Sequence, residues 1–127
     1  MILLSFDTEE FDVPKEHGVN ISLEEGMRIS VEGTNKILDC LQQNEVHATF
    51  FCTANFAEQS PQTIRRIMQE GHEVACHGVD HWQPKPTDVC ESKRIVESVA
   101  RDVTTAKTAE SAPKALPMLV FASLLRA

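Results

Sequence analysis

The chain has 127 residues, of which 42% are hydrophobic, enough for one modest core and no more. Its formal net charge of −7 argues against a polyanion such as a nucleic acid as partner. No apolar run approaches the ~20 residues needed to cross a bilayer, so no membrane partner is expected.

The first element expected is a core strand at residues 2–7, built on Ile2-Leu3-Leu4-Ser5-Phe6. Nothing resembling a basic and apolar export leader precedes it, and the expected location is cytoplasmic. Residues 7–32 then carry eight acids against two bases, contributing −6 to the total charge. Such a stretch reads equally well as a solvated loop, running to Arg28, or as a cation-attracting rim. Ser30 can cap a helix over 31–43 with an apolar stripe of Val31, Ile37, Leu38 and Leu41. Residues 46–53 predict a second strand, rich in β-branched and aromatic side chains.

Ser60-Pro61 starts the next helix, which buries Ile64, Ile67 and Met68 and stops at Gly71. Residues 73–76 predict a short third strand. Thr87 can cap a third helix carrying Val89, Val96, Val99, Ala100 and Val103. Cys40, Cys52, Cys76 and Cys90 form no C-x-x-C pair and read as free, core-facing thiols. Strand alternation turns Cys76 away from the side of its neighbour His77. Alternation of strands and helices predicts an α/β fold around a parallel sheet or barrel.

Chemistry concentrates in two places. Residues 70–82 place His77 and His81 four apart, a spacing that suits two nitrogen ligands on one divalent metal. A bare H-x-x-x-H is weak evidence, and two surface histidines are the plain alternative. A carboxylate source lies in Asp7-Thr8-Glu9-Glu10, at the end of the first strand. In parallel α/β architectures the loops after the strands build the catalytic face, so both clusters should meet at one rim. His47 and His72 read as packing or hydrogen-bonding residues, and His17 as a loop residue of unassigned role.

The succession Ser5-Phe6-Asp7, His47-Ala48-Thr49-Phe50-Phe51 and Gly71-His72-Glu73 leading into His77-x-x-x-His81 resembles the polysaccharide deacetylase (NodB homology) family of carbohydrate esterases. The resemblance covers residues 2–82. It implies an incomplete (β/α) barrel of about three to four βα units. It also implies a metal-dependent hydrolase that removes acetyl groups from N- or O-acetylated carbohydrate. By the same comparison Asp7 is the catalytic general base, and His77 and His81 are metal ligands. The usual second Asp is Thr8 here, which makes Glu9 the preferred third ligand, with Glu10 next. The ion implied is zinc, with cobalt or nickel as substitutes.

Two other readings accompany this one: hydrolysis of non-peptide C–N bonds in small amides or cyclic imides, and an inactive metal-binding remnant. The family's late motifs are missing from this sequence. No histidine follows His81, and none of Arg94, Arg101 or Arg126 begins an Arg-x-Pro triplet. A full barrel needs ~200 residues or more. The expected division is therefore a deacetylase-like portion at 1–103 and an atypical tail at 104–127. In that tail 104–115 are low-complexity and 116–125 are apolar. Truncation or a frameshift, weak activity, and self-association through an open sheet edge are the corresponding expectations.

Overall fold

The computed structural model describes residues 1–79 and 86–107, with side-chain surroundings described up to Val79 and over 91–101. Three parallel strands form one sheet in the order β1 (Ser5–Thr8), β2 (Thr49–Thr53), β3 (Glu73–Gly78). Between β1 and β2 lie α1 (Val13–Glu16) and α2 (Leu23–Gln43). Between β2 and β3 lie α3 (Ala54–Gln59) and α4 (Pro61–Gln69), and α5 (Pro86–Lys107) follows β3. This is the strand–helix alternation expected from the sequence, arranged as an incomplete α/β barrel.

The sheet register explains the core. Phe6, Phe50 and Val74 are paired across the three strands, as are Thr8, Cys52 and Cys76. Alternation sends both rows toward the helices. There Phe50, Cys52 and Val74 pack with Leu38, Phe56, Ile64, Ile67 and Val96. Cys76 Sγ lies 3.3 Å from Ser92 Oγ on α5, so Cys76 turns inward as strand alternation requires. Burial pushes the Cys52 thiol up to about 12, which keeps it protonated and inert. Cys40 is exposed, contrary to the expectation of core-facing thiols; it sits on the solvent side of α2. The Cys90 side chain lies outside the described residues.

The acidic stretch is a correction. Instead of a loop to Arg28, residues 23–43 form one helix, with Ser22 rather than Ser30 at its N-cap. Ser22 Oγ accepts the Glu25 backbone N–H at 3.1 Å, and Glu24 and Glu25 occupy the first turn, where the helix dipole favours acids. Arg28 then bridges Glu25 and Glu32, and Lys36 reaches Glu32, all on the exposed face. The charges expected in a solvated loop are i,i+3 and i,i+4 partners on a helix surface.

The strand bounds also shift. Residues 2–4 precede β1 and are exposed, and β2 begins at Thr49 rather than Val46. Glu45 adopts φ +54°, with its N–H on Gln42 O and the Val46 N–H on Leu41 O. That is a Schellman cap with glutamate in the place usually given to glycine, and it takes residues 44–46 for the helix end. The same closure recurs after α4 with the expected glycine: Gly71 has φ +85° and the His72 N–H reaches Ile67 O. α4 starts at Pro61 as expected, although Ser60 makes no side-chain cap bond. α3, unforeseen, is capped by Thr53, whose Oγ1 accepts the Phe56 N–H at 3.1 Å.

Arg66 fastens α4 to α2. It donates to Asn35 Oδ1 at 2.9 Å, to Glu70 at 2.7 Å, and to Asp39. These carboxylates hold its guanidinium pKa above the usual range.

His72 is a core residue, 2% exposed, whose Nδ1 accepts the Ala48 backbone N–H at 3.2 Å. Nδ1 must stay unprotonated to accept that bond, so the ring is neutral with its proton on Nε2. Burial lowers its pKa below the ordinary 6.5, nearby His47 adds to the effect, and Glu70 opposes it. The unfolded chain therefore binds a proton more readily, and stability must fall as pH drops below about 6.5. Thermal melts at about pH 7.5 and 5.5 should show this loss, and His72→Asn, which keeps an acceptor for Ala48, should reduce it. An unchanged pH dependence in that variant would assign the effect to other groups.

Candidate active site at the carboxyl rim of the sheet

Parallel strands deliver their carboxyl ends to one rim, and all the sequence-predicted residues that are described here lie along it. Asp7 is paired with Phe51 and Phe51 with Ala75. His77 lies two residues beyond Ala75, so Asp7 and His77 emerge on the face opposite the helices. His77 Nε2 approaches Glu9 Oε2 to 3.3 Å and Asp7 Oδ2 to 3.9 Å. Their exposures differ: the Asp7 side chain is 57% exposed, Glu9 24% and His77 26%. A carboxylate open to solvent thus stands beside a more enclosed His–Glu pair.

The alternation that turns Thr8 inward also separates the two glutamates. Thr8 is 4% exposed, Glu9 returns to the rim, and Glu10 turns back into the protein at 7% exposure. The Glu10 carboxylate accepts Thr53 Oγ1–H at 2.9 Å and Asn55 Nδ2–H at 3.0 Å. Of the two candidate carboxylates, Glu9 is the one facing His77, while Glu10 is engaged by β2 and α3.

The loop bearing these acids is seated on α2. Phe11 N–H donates to Gly26 O at 3.4 Å, and a Cβ on Gly26 would lie 2.5 Å from Phe11 O. Only glycine permits that approach of loop to helix. Sequence reasoning missed this seat, because a lone glycine within a helical pattern does not name what presses on it.

His81 lies outside the described residues. Among the described residues, no three His, Cys, Asp or Glu side chains are arranged to hold a metal by themselves. Two donors nevertheless have a suitable spacing: ligands ~2.0–2.1 Å from a tetrahedral ion stand about 3.3 Å apart, which matches the Glu9–His77 separation. His47 and His72 are elsewhere. They border a cleft of about 410 Å³ with Leu41, Val46 and Glu70, at the amino-terminal end of the strands and away from this rim. Among the described residues, no helix is long and apolar enough to cross a membrane.

A family model described as polysaccharide deacetylase matches residues 11–116. It begins after Asp7 and Glu9 and includes His77 and His81. It also runs across the 103/104 boundary expected from composition, as does α5, which reaches Lys107. A chitooligosaccharide deacetylase of Bradyrhizobium sp. (strain ANU 289) is 38% identical over 85 residues, 66% of this chain and 36% of that protein. Among solved structures, the Bc1960 peptidoglycan N-acetylglucosamine deacetylase in complex with 4-naphthalen-1-yl-N-oxidanyl-benzamide matches 80% of this chain and 40% of that one. Its identity is 27% and its TM-score 0.54. Puue allantoinase matches 78% of this chain and 42% of its own with a TM-score of 0.59; at 17% identity that likeness is one of fold. The chain thus spans well under half of each of these relatives. With a family match over most of its length and a fold that superposes on a solved deacetylase, the chain belongs to the polysaccharide deacetylase family.

Proposed function

We propose that the rim formed by Asp7, Glu9 and His77 is the metal-binding and water-activating part of a hydrolytic site for N- or O-acetylated carbohydrate. The observation that carries this reading is the 3.3 Å approach of Glu9 Oε2 to His77 Nε2 from opposite edges of the sheet. His81 is assigned as the third ligand. Zinc is the ion proposed, with cobalt or nickel able to replace it.

Each side chain has a distinct task in this scheme. Glu9 and His77 would supply one oxygen and one nitrogen donor to such an ion. A bound divalent ion lowers the pKa of coordinated water and polarises a carbonyl oxygen. Asp7 stands beside the same pair, and its exposed carboxylate takes up the proton as water attacks the acetyl carbon. The chitooligosaccharide and peptidoglycan deacetylases in the comparison support an acetylated sugar as substrate. Exposed Met1, Ile2 and Leu3 beside the edge strand β1 support self-association as an additional property.

The test is a metal titration of the full chain with elemental analysis. Wild type should hold close to one ion per chain, and His77→Ala and His81→Ala should each lose most of it. Equal metal content in wild type and the double variant would refute the site. Loss in Glu10→Gln but not in Glu9→Ala would move the carboxylate ligand to Glu10.

A further inference from the structure

The acids of the rim lie on a short turn between β1 and α1, whereas His77 is on β3, with β2 between them. Their spacing therefore depends on what joins the ends of three strands. Asn55, in the first turn of α3, contacts both outer segments. Its backbone N–H donates to Val79 O at 3.0 Å, two residues beyond His77. Its side-chain amide donates to Glu10 Oε1 at 3.0 Å, one residue beyond Glu9. A carboxylate only accepts, so the amide nitrogen must be the group that faces it.

The other Glu10 oxygen is fixed as firmly. Thr53 Oγ1 accepts the Phe56 N–H, leaving its single proton for Glu10 Oε2 at 2.9 Å. Thr53 is fully buried and Glu10 nearly so, so the Thr53–Glu10 bond is not easily exchanged for water. Burying a carboxylate against two neutral donors is an expensive way to fasten a loop. The geometry points to a role for Glu10 and Asn55 as positioning residues: together they tie the β1–α1 turn to the segment after β3 and set the Glu9–His77 distance that a shared ion requires. This inference rests on the metal-site reading above.

Ligand-orienting partners of this kind typically alter metal affinity ~10–100-fold when removed. The test is Co²⁺ titration of the full chain, followed by its visible absorption, with thermal melting of the metal-free protein in parallel. Asn55→Ala should bind Co²⁺ ~10–100-fold more weakly and shift the visible bands, in a metal-free protein that melts somewhat lower, since a buried carboxylate loses a donor, but is still folded at the titration temperature. Glu10→Ala should behave alike. Glu10→Gln preserves both contacts once the Asn55 amide turns over, and should retain most of the affinity. If Glu10→Ala fails to fold, Asn55→Ala and Glu10→Gln decide the matter. Wild-type Co²⁺ affinity and spectrum in Asn55→Ala, with binding lost in His77→Ala, would overturn the positioning role and leave the site standing. Weaker binding found only in variants that are already unfolded without metal at the titration temperature would also overturn it. A wild-type chain that binds no Co²⁺ would overturn both readings.

Discussion

Phe50→Ala is expected to destabilise the fold by about 3–5 kcal/mol, the usual range for deleting a fully buried aromatic ring. Phe50 is 0% exposed, the second residue of the central strand. Its ring centroid lies 5.3 Å from that of Phe6 on β1 and 5.5 Å from that of His72 before β3. One truncation therefore removes contacts to both neighbouring segments. Against a total stability of ~5–15 kcal/mol for a small domain, the loss would leave much of the chain unfolded at moderate temperature. Urea denaturation followed by circular dichroism would measure it. Phe51→Ala is the control, because Phe51 is only partly buried and on the opposite face. Similar midpoints for the two variants would mean that the sheet is not packed as described.

The contrast between Phe50 and Phe51 also indicates what could be read from the sequence. Period-two and helical patterns name the buried residues directly, and Leu38, Leu41, Ile64 and Ile67 fall where the patterns put them. Gly71 stops its helix because a left-handed residue is needed there, and glycine signals that need. Glu45 performs the same service for α2 without the signal, so the second strand appeared to begin three residues early. The first two turns of α2 were hidden for another reason. A run of acids resembles a loop until Ser22 is recognised as a cap and Arg28 as the partner of Glu25 and Glu32.

The rim followed a similar division. That Asp7, Glu9 and His77 meet at one rim was legible because the family resemblance points to Asp7 and His77 and strand alternation keeps Glu9 on the side of Asp7. The Glu10–Thr53–Asn55 contacts were not legible, since they join residues 43 and 45 apart in sequence through side chains common in any turn. Hydrogen bonds of such long sequence separation leave no periodicity to detect. They become visible only when the strands are set side by side.

Asp7→Asn is expected to separate proton transfer from metal binding. Asparagine keeps the size of the side chain and one oxygen acceptor, but it cannot take a proton from attacking water. Loss of a positioned general base typically costs ~10²–10⁴ in rate. Asp7 Oδ2 is farther from His77 Nε2 than Glu9 Oε2 is, 3.9 Å against 3.3 Å, and its side chain is the most exposed of the three. Metal content should therefore survive the substitution while acetate release from acetylated chitooligosaccharide falls by that factor. Acetate release and bound metal need to be measured on the same samples. Unchanged turnover in Asp7→Asn would place the base elsewhere. Metal and turnover lost in equal proportion would make Asp7 a ligand, and the water would then have to lose its proton to another group on the rim.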